Sequence, residues 1–265
     1  MKIIEWNINQ RANHSKEDKI PEFVAEEINE LSADIVIITE FYKVSQWKNF
    51  VISLASYNTF VTDNPKNEVL IAIKKKYLIE SVYWWTSSYN KCMPDYLEVN
   101  IKHNENIISV IGARILVDYY NYNNKKEVTK EMKNRYVQNS NILERIKKLQ
   151  EKGNLILGAG DFNTGRRNNP NENWSSDVLK SELLSLDIAL HTPKGNSHQL
   201  YKGDDYAGCP DHLFASSALS VETVLYYWNF VECDKNIYSE GKYTKDISAP
   251  YPDHGILIAE IKKIN

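Results

Sequence analysis

Residues 155–164 read Leu-Ile-Leu-Gly-Ala-Gly-Asp-Phe-Asn-Thr, and this stretch is the most informative part of the chain for its fold. Its first three residues are apolar and predict a short buried strand. Gly160 is expected to permit a tight turn, which would present the side chains of Asp161 and Asn163 together at the end of the strand. A plain turn in which Asp161 caps the backbone is the alternative.

The same arrangement, a polar residue beside the end of an apolar strand, occurs at several other places along the chain. The residues concerned are Asn7, Glu40, Asp161, Asn163, Asp211, Asp253 and His254. Carboxylates at buried strand ends are costly unless they bind a cation or another partner. Several of them at one edge would form an oxygen-ligand site for a hard cation. Taken singly, each could equally be a solvated boundary residue or part of a surface turn.

Predicted strands and helices alternate along the whole chain. Apolar residues recur at helical spacing over 20–31, and strands are predicted on both sides of this segment. The polar segment 118–135 is interpreted as a long loop leading into a helix that ends near Gly153. No linker or repeat interrupts the pattern. The sequence therefore predicts a single domain over 1–265, with a mixed sheet system covered by helices.

Composition excludes several classes of protein. The chain has 265 residues, of which 42% are hydrophobic and 25% charged, so it can bury a core and is not wholly disordered. Its formal net charge of −3 argues against a protein that coats nucleic acid without specificity. A nucleic-acid role would need a local basic surface or a bound metal ion.

The cysteines and the apolar segments bear on the compartment. Cys92, Cys209 and Cys233 are widely spaced and form no CxxC pair, which argues against a disulfide framework and a zinc-thiolate site. The amino terminus begins as a strand without an apolar signal core, and no stretch approaches the length of a membrane span. A soluble cytoplasmic protein without a membrane partner is expected.

The order of these motifs resembles that of the endonuclease/exonuclease/phosphatase superfamily, which includes deoxyribonuclease I-like and exonuclease III-like enzymes. The matching motifs are Trp6-Asn7, Thr39-Glu40, Gly160-Asp161-Phe162-Asn163, Pro210-Asp211-His212-Leu213-Phe214-Ala215-Ser216 and Pro252-Asp253-His254-Gly255. They span nearly the whole chain. The resemblance implies an α/β fold, a four-layer sandwich of two packed mixed β-sheets flanked by helices. The alternation of strands and helices is compatible with that fold but does not identify it.

The resemblance also implies a metal site. Glu40 would be the main Mg²⁺ ligand, and Asn7 and Asp253 would lie near the ion; Mn²⁺ is the alternative metal. These are oxygen donors, which hard cations prefer.

The resemblance assigns the remaining polar residues to hydrolysis of a phosphate ester. Asp161 would orient and deprotonate the attacking water, and Asn163 would hold a phosphate oxygen or fix Asp161. His254 would donate to the scissile phosphate, with its imidazole oriented by Asp211. Such a pair keeps the imidazole in one tautomer and favours its protonated form.

Two further residues are candidate substrate ligands. Many relatives have His or Tyr where this chain has Arg114, which cannot act as a general base but can hold a phosphate through its planar guanidinium. We therefore expect Arg114 to bind the substrate phosphate; the alternative is that it pairs with Glu40 or another acid of the site. His198 is expected on a loop beside the site, where it would bind substrate or be an ordinary loop histidine.

The sequence thus predicts a Mg²⁺-dependent phosphoesterase. Phosphodiester bonds in nucleic acid are the first candidate substrate, with endonuclease and exonuclease action both open. A small phosphorylated metabolite, a nucleotide or a lipid headgroup is the alternative, because loops determine substrate choice. A binding module that has lost activity is the third hypothesis, and the full acidic and histidine set argues against it.

Overall fold

Two six-stranded sheets form the centre of the protein. The first sheet contains, in spatial order, β11 (Leu219–Tyr227), β14 (Ile256–Ile264), β1 (Lys2–Asn7), β2 (Ile35–Phe41), β4 (Glu68–Lys74) and β3 (Tyr57–Val61). The second contains β5 (Leu78–Trp85), β6 (Asp95–His103), β7 (Asn106–Arg114), β8 (Leu155–Asp161), β10 (Asp211–Ser216) and β9 (Ile188–His191). Both sheets are mixed, because β1 and β2 pair in parallel, as do β7 and β8, while the other pairs are antiparallel.

The helices are α1 (Glu22–Leu31), α2 (Trp47–Ser53), α3 (Lys125–Gln150) and α4 (Ser176–Leu184), and β12 (Tyr238–Ser239) pairs with β13 (Lys242–Tyr243) in a separate ribbon. The computed structural model describes residues 1–8, 20, 22–41, 43, 47–63, 68–85, 92–117, 124–164, 174–198, 208–230, 238–239, 242–243 and 252–264. Within these ranges, no helix has the length and apolar character needed to cross a membrane.

Three apolar clusters hold the layers together. The facing sides of the two sheets pack through residues such as Ile37 and Leu157. Helices α1 and α2 cover the outer side of the first sheet, where Ile28 is buried, and α3 and α4 cover the second, where Ile146 and Leu179 are buried. Full burial of each such side chain contributes roughly 1.5–3 kcal/mol. The predicted four-layer sandwich is confirmed.

Strand alternation decides which residues of β8 face the site. Leu157 and Ala159 lie in the cluster between the sheets, whereas Ile156 and Phe162 pack under the helices. Because successive side chains of a strand point to opposite faces, Asp161 lies on the same side as Leu157 and Ala159. The last residue of the strand is therefore a carboxylate at the edge of the inter-sheet core.

The expected turn at Gly160 is wrong, because this residue belongs to β8. A Cβ atom at Gly160 would lie 1.8 Å from the carbonyl oxygen of Ala113, and one at Gly158 would lie 2.1 Å from the ring of Phe214. These glycines are needed for close approach of neighbouring groups. The chain turns later, at Asn163, which has a φ of 46°.

The interpretation of 118–135 as a loop is wrong from Lys125 onward, where α3 begins. Asn124 caps this helix by accepting a hydrogen bond from the Lys126 backbone nitrogen at 3.1 Å, and its amide donates to Glu127 at 2.8 Å. An Asn cap followed three residues later by Glu is a signal for a helix start. The preceding residues of that segment lie outside the described part of the chain.

Candidate active site

Three polar residues form a row across the second sheet at one edge of the inter-sheet core. Arg114 ends β7 and is paired in register with Asp161 at the end of β8, which is paired in turn with Asp211 at the start of β10. Parallel strands end at the same edge, and an antiparallel neighbour begins there. Their exposed fractions are only 6%, 2% and 0%.

The first sheet meets this row through the end of β1. The side-chain amide of Asn7 donates to Oδ2 of Asp161 at 3.0 Å. Glu5 precedes Asn7 by two residues and so lies on the same face of the strand. It is fully buried and accepts a hydrogen bond from the Thr39 hydroxyl at 3.1 Å. Both sheets therefore contribute to one polar cluster.

Glu40 reaches the cluster through a local irregularity of β2. Its φ of 52° is in the left-handed region, and the pairing with β4 shifts register between Ile38 and Phe41. Because of this shift, Phe41 lies on the same side of the first sheet as Ile38, in the cluster beneath α1 and α2. A β-bulge changes the face to which the following side chains point in this way. The Glu40 carboxylate forms a hydrogen-bonded ion pair with Nη2 of Arg114. Such a backbone conformation costs roughly 1–3 kcal/mol, and surrounding contacts must maintain it.

Asp161 is held by several donors. It accepts hydrogen bonds from the Asn163 backbone nitrogen at 2.8 Å, the Asn163 side-chain amide at 3.2 Å and the Asn7 amide at 3.0 Å. The Arg114 Nε atom lies 3.6 Å from Oδ2. Burial raises the pKa of Asp161, and the negative charge of Asp211 raises it further. This carboxylate is fixed in position and surrounded by other charges.

His254 and Asp211 form a direct pair. Nδ1 of His254 lies 2.7 Å from Oδ2 of Asp211. Burial alone would lower the pKa of His254, but the charge of Asp211 and their hydrogen bond, with smaller contributions from other nearby acids, raise it to about 10. The Trp6 indole donates to the His254 carbonyl at 3.0 Å, and the Tyr226 hydroxyl donates to the Asp211 carbonyl at 2.7 Å. These contacts fix both backbones.

His198 and Asp253 complete the set expected from the sequence. Nε2 of His198 lies 3.5 Å from Oδ2 of Asp253, and Nε2 of His254 lies 3.9 Å from Oδ1 of the same carboxylate. Backbone bridges pair His198 with His254 and with Gly208. The structure thus brings all nine expected site residues to one edge of the sandwich: Asn7, Glu40, Arg114, Asp161, Asn163, His198, Asp211, Asp253 and His254.

Some residues of this region were not expected from the sequence. Glu5 is one, and Asp95, buried at the start of β6 and paired in register with Arg114, is another. A third is Arg135 of α3, whose buried guanidinium donates to the Asn163 carbonyl at 3.2 Å. Glu5 could have been found from its position two residues before Asn7. Arg135 gave no comparable signal, because it lies in the polar segment 118–135, which was interpreted as a loop.

The charges of the site suit a divalent cation. The buried acids are Glu5, Glu40, Asp95, Asp161, Asp211 and Asp253, and the cationic side chains among them are Arg114 and His254. Burial, followed by the charges of Asp211 and Asp161, raises the pKa of Glu5 well above its usual value. Within the described part of the chain, Oε2 of Glu5 and Oδ1 of Asp211 are buried without a hydrogen-bond partner. A hard divalent cation would offset this repulsion, so the oxygen donors fit such an ion.

Comparisons with known proteins bear on the fold. No protein-family profile and no curated protein sequence matches the chain. Solved structures do match over almost its whole length. The D. rerio TDP2 structure complexed with single strand DNA product has a TM-score of 0.69 and 13% identity, covering 99% of each chain.

Two further structures agree. The mannosyl-6-phosphatase of Bacteroides thetaiotaomicron has a TM-score of 0.69 and 12% identity, covering 99% of each chain. The endonuclease/exonuclease/phosphatase of Beutenbergia cavernae has a TM-score of 0.66 and 12% identity, covering 99% of this chain and 71% of the other. This chain has the same fold as these three proteins.

That fold explains why the site lies at the edge between the sheets. In this fold, β1 and β2 in one sheet and β7 and β8 in the other are parallel pairs that end at this edge. The resemblance predicted from the sequence motifs is confirmed in its architecture. At identities of 12–13%, the agreement concerns the fold.

Proposed function

We propose that this protein is a Mg²⁺-dependent phosphoesterase. The observation that carries the proposal is the meeting of two arrangements at one sheet edge: Asp161 held by amides, and His254 paired with Asp211. A fixed carboxylate can act as the base for an attacking water, and a protonated imidazole can stabilise the charge that grows on the phosphate.

Asp161 would orient the attacking water and accept its proton. Asn7 and Asn163 keep the carboxylate in place through amide donors, so little reorganisation is needed during reaction. The raised pKa of Asp161 makes it a better base than an exposed carboxylate.

His254 would donate a hydrogen bond, or its proton, to the phosphate oxygen on which charge grows. Asp211 fixes the ring through Nδ1, which leaves Nε2 directed to the substrate side. Arg114 pairs with Glu40 in the structure, as the alternative derived from the sequence anticipated. Its buried Nη1 makes no hydrogen bond to the described residues, and we propose that it also binds the substrate phosphate.

Glu40, Asn7 and Asp253 would hold the ion, with Mn²⁺ as the alternative to Mg²⁺. When bound, the ion supplies positive charge that neutralises the phosphate oxygens in the transition state. Glu40 can pair with Arg114 and bind a cation at once, because an ionised carboxylate has about four acceptor positions.

We propose nucleic acid as the first substrate class and a small phosphate ester as the second. The similarly folded D. rerio protein was crystallised with a single strand DNA product, and the Bacteroides protein is a mannosyl-6-phosphatase. Both substrates present a phosphate ester to the same kind of site. A cytoplasmic location is also proposed, and it is supported by Cys92 and Cys209, neither of which forms a disulfide bond within the described residues.

The test is a hydrolysis assay with Mg²⁺, Mn²⁺ or EDTA on single-stranded DNA, plasmid DNA, abasic DNA, RNA, sugar phosphates and small phosphodiesters. Asp161→Asn should lower kcat on the best substrate by about 100-fold or more, because it removes the base. Asp187→Asn is the matched control, since Asp187 lies in an exposed turn and accepts a hydrogen bond from Ser217. Wild-type turnover by Asp161→Asn would overturn the mechanism. Absence of hydrolysis in every substrate class would favour the binding-module hypothesis.

A further inference from the structure

Two imidazoles lie on either side of one carboxylate at the edge of the site. The ligand-capable atoms of His198, Asp253 and His254 all lie within 4.8 Å of one another. The two histidine rings have centroids 4.7 Å apart. Among the described residues, this is the one group of His, Cys, Asp and Glu side chains with a metal-binding arrangement.

Backbone and side-chain contacts hold these three residues in place. The backbones of His198 and His254 are bridged, and the Gly255 nitrogen donates to the Ser197 carbonyl at 2.8 Å. Asp211 accepts at Nδ1 of His254, which leaves Nε2 as the ligand atom. A histidine that binds a metal usually makes a contact of this kind through its other ring nitrogen, which fixes the ring.

We propose that His198, Asp253 and His254 form a binding site for a divalent transition-metal ion such as Zn²⁺ or Co²⁺. Two imidazole nitrogens favour such an ion over Mg²⁺, which prefers oxygen ligands. Three protein ligands leave at least one position for water, and the side chain of His198 is 21% exposed. The proposed site shares Asp253 with the Mg²⁺ ligand set but differs from it in the two histidines.

The distances are compatible with this ion. The nitrogen–oxygen separations of 3.5 Å and 3.9 Å, each to a different oxygen of Asp253, are close to the separation of two ligands that lie about 2.0–2.2 Å from one ion. The carboxylates of Asp211 and Asp253, which lie beside His254, would also attract a divalent cation. If the proposed function is correct, an ion on Nε2 would stop His254 from donating to the phosphate and would therefore inhibit hydrolysis.

Cobalt binding tests the proposal without any substrate. The untagged, EDTA-treated full chain is titrated with Co²⁺, and binding is followed by its visible absorption bands and by calorimetry. The variants are His198→Gln, which removes one nitrogen ligand, and Glu40→Gln, which alters the oxygen-ligand set. His103→Gln is the matched control, because His103 lies at the hairpin between β6 and β7. Circular dichroism and thermal melting establish that each variant is folded.

We expect one Co²⁺ per chain, a Kd raised about tenfold or more in His198→Gln, a smaller change in Glu40→Gln, and an unchanged Kd in His103→Gln. An unchanged Kd in folded His198→Gln overturns the proposal, as does a loss of binding in Glu40→Gln alone. If His198→Gln does not fold, Asp211→Asn decides: it should weaken binding about 10–100-fold, and an unchanged Kd overturns the proposal. Failure of the hydrolysis assay would leave these results unaffected, since no measurement uses substrate.

Discussion

Nδ1 of His254 lies 2.7 Å from Oδ2 of Asp211, and this contact joins the two sheets. Asp211 begins β10 of the second sheet, whereas His254 lies two residues before β14 of the first sheet. Both side chains are buried, with exposed fractions of 7% and 0%. The orientation of the imidazole therefore depends on how the sheets pack, and any change in packing would move it.

Asp211→Asn should lower kcat by about 100-fold or more with a smaller change in KM. An amide is neutral, so it cannot stabilise a charged imidazole, and its own hydrogens can reverse the tautomer. Steady-state kinetics on the best substrate checks this. Asp187→Asn makes the same chemical change in an exposed turn and should keep full activity. Equal activity of the two variants would contradict a role for the pair.

The pH profile follows from the same pair. Because the pKa of His254 is raised from 6.5 to about 10, the charged donor persists through neutral pH. On the alkaline side, we expect kcat/KM to stay level until pH approaches 10. The contribution of the pair to the free energy of unfolding is fully present below pH 6.5 and should be lost as pH rises towards 10. In Asp211→Asn the fall of kcat/KM at alkaline pH should begin at a lower pH than in the wild type. A wild-type limb near pH 7 would be inconsistent with this assignment.

Arg114→Lys should lower kcat/KM by about tenfold or more, since a lysine keeps the charge but loses the planar set of donors that can bind Glu40 and a phosphate together. Arg145→Lys is a suitable control. Arg145 of α3 makes a bidentate contact with Glu98 at 2.7 Å and 2.9 Å. Loss of this contact should lower the stability of the fold and leave turnover unchanged. If Arg114→Lys leaves kcat and KM unchanged, Arg114 does not hold the phosphate.

Gly160→Ala should destabilise the protein by about 3 kcal/mol or more, or prevent folding. The new methyl group would overlap the Ala113 carbonyl oxygen, which is backbone and cannot move independently. Gly153→Ala provides the contrast, because Gly153 has a φ of 83° and open space around it, so only backbone strain of about 1–2 kcal/mol is added. Urea denaturation measures both; equal losses would mean that the close approach is unimportant.

Local patterns in the sequence were sufficient for most of the elements. The apolar residues 155–157 predicted β8, and the helical spacing over 20–31 predicted α1 between two strands. The first half of α3 was missed because its residues are mostly polar and only a few, such as Met132 and Arg135, are buried. Helix formation there depends on packing against the second sheet and on the Asn124 cap.

Sequence alone determined that acids and amides stand at strand ends, because the apolar runs that predict the strands stop there. The two-residue period of a strand then fixes the face on which Asp161 and Asn7 lie. It could not determine that Arg114 would pair with Glu40, since that contact needs a bulge in one sheet and a strand end in the other. Nor could it show that Glu5 is buried among the same charges. Residues far apart in the chain meet only where the sheets pack face to face, and that packing is set by the whole core rather than by any local stretch.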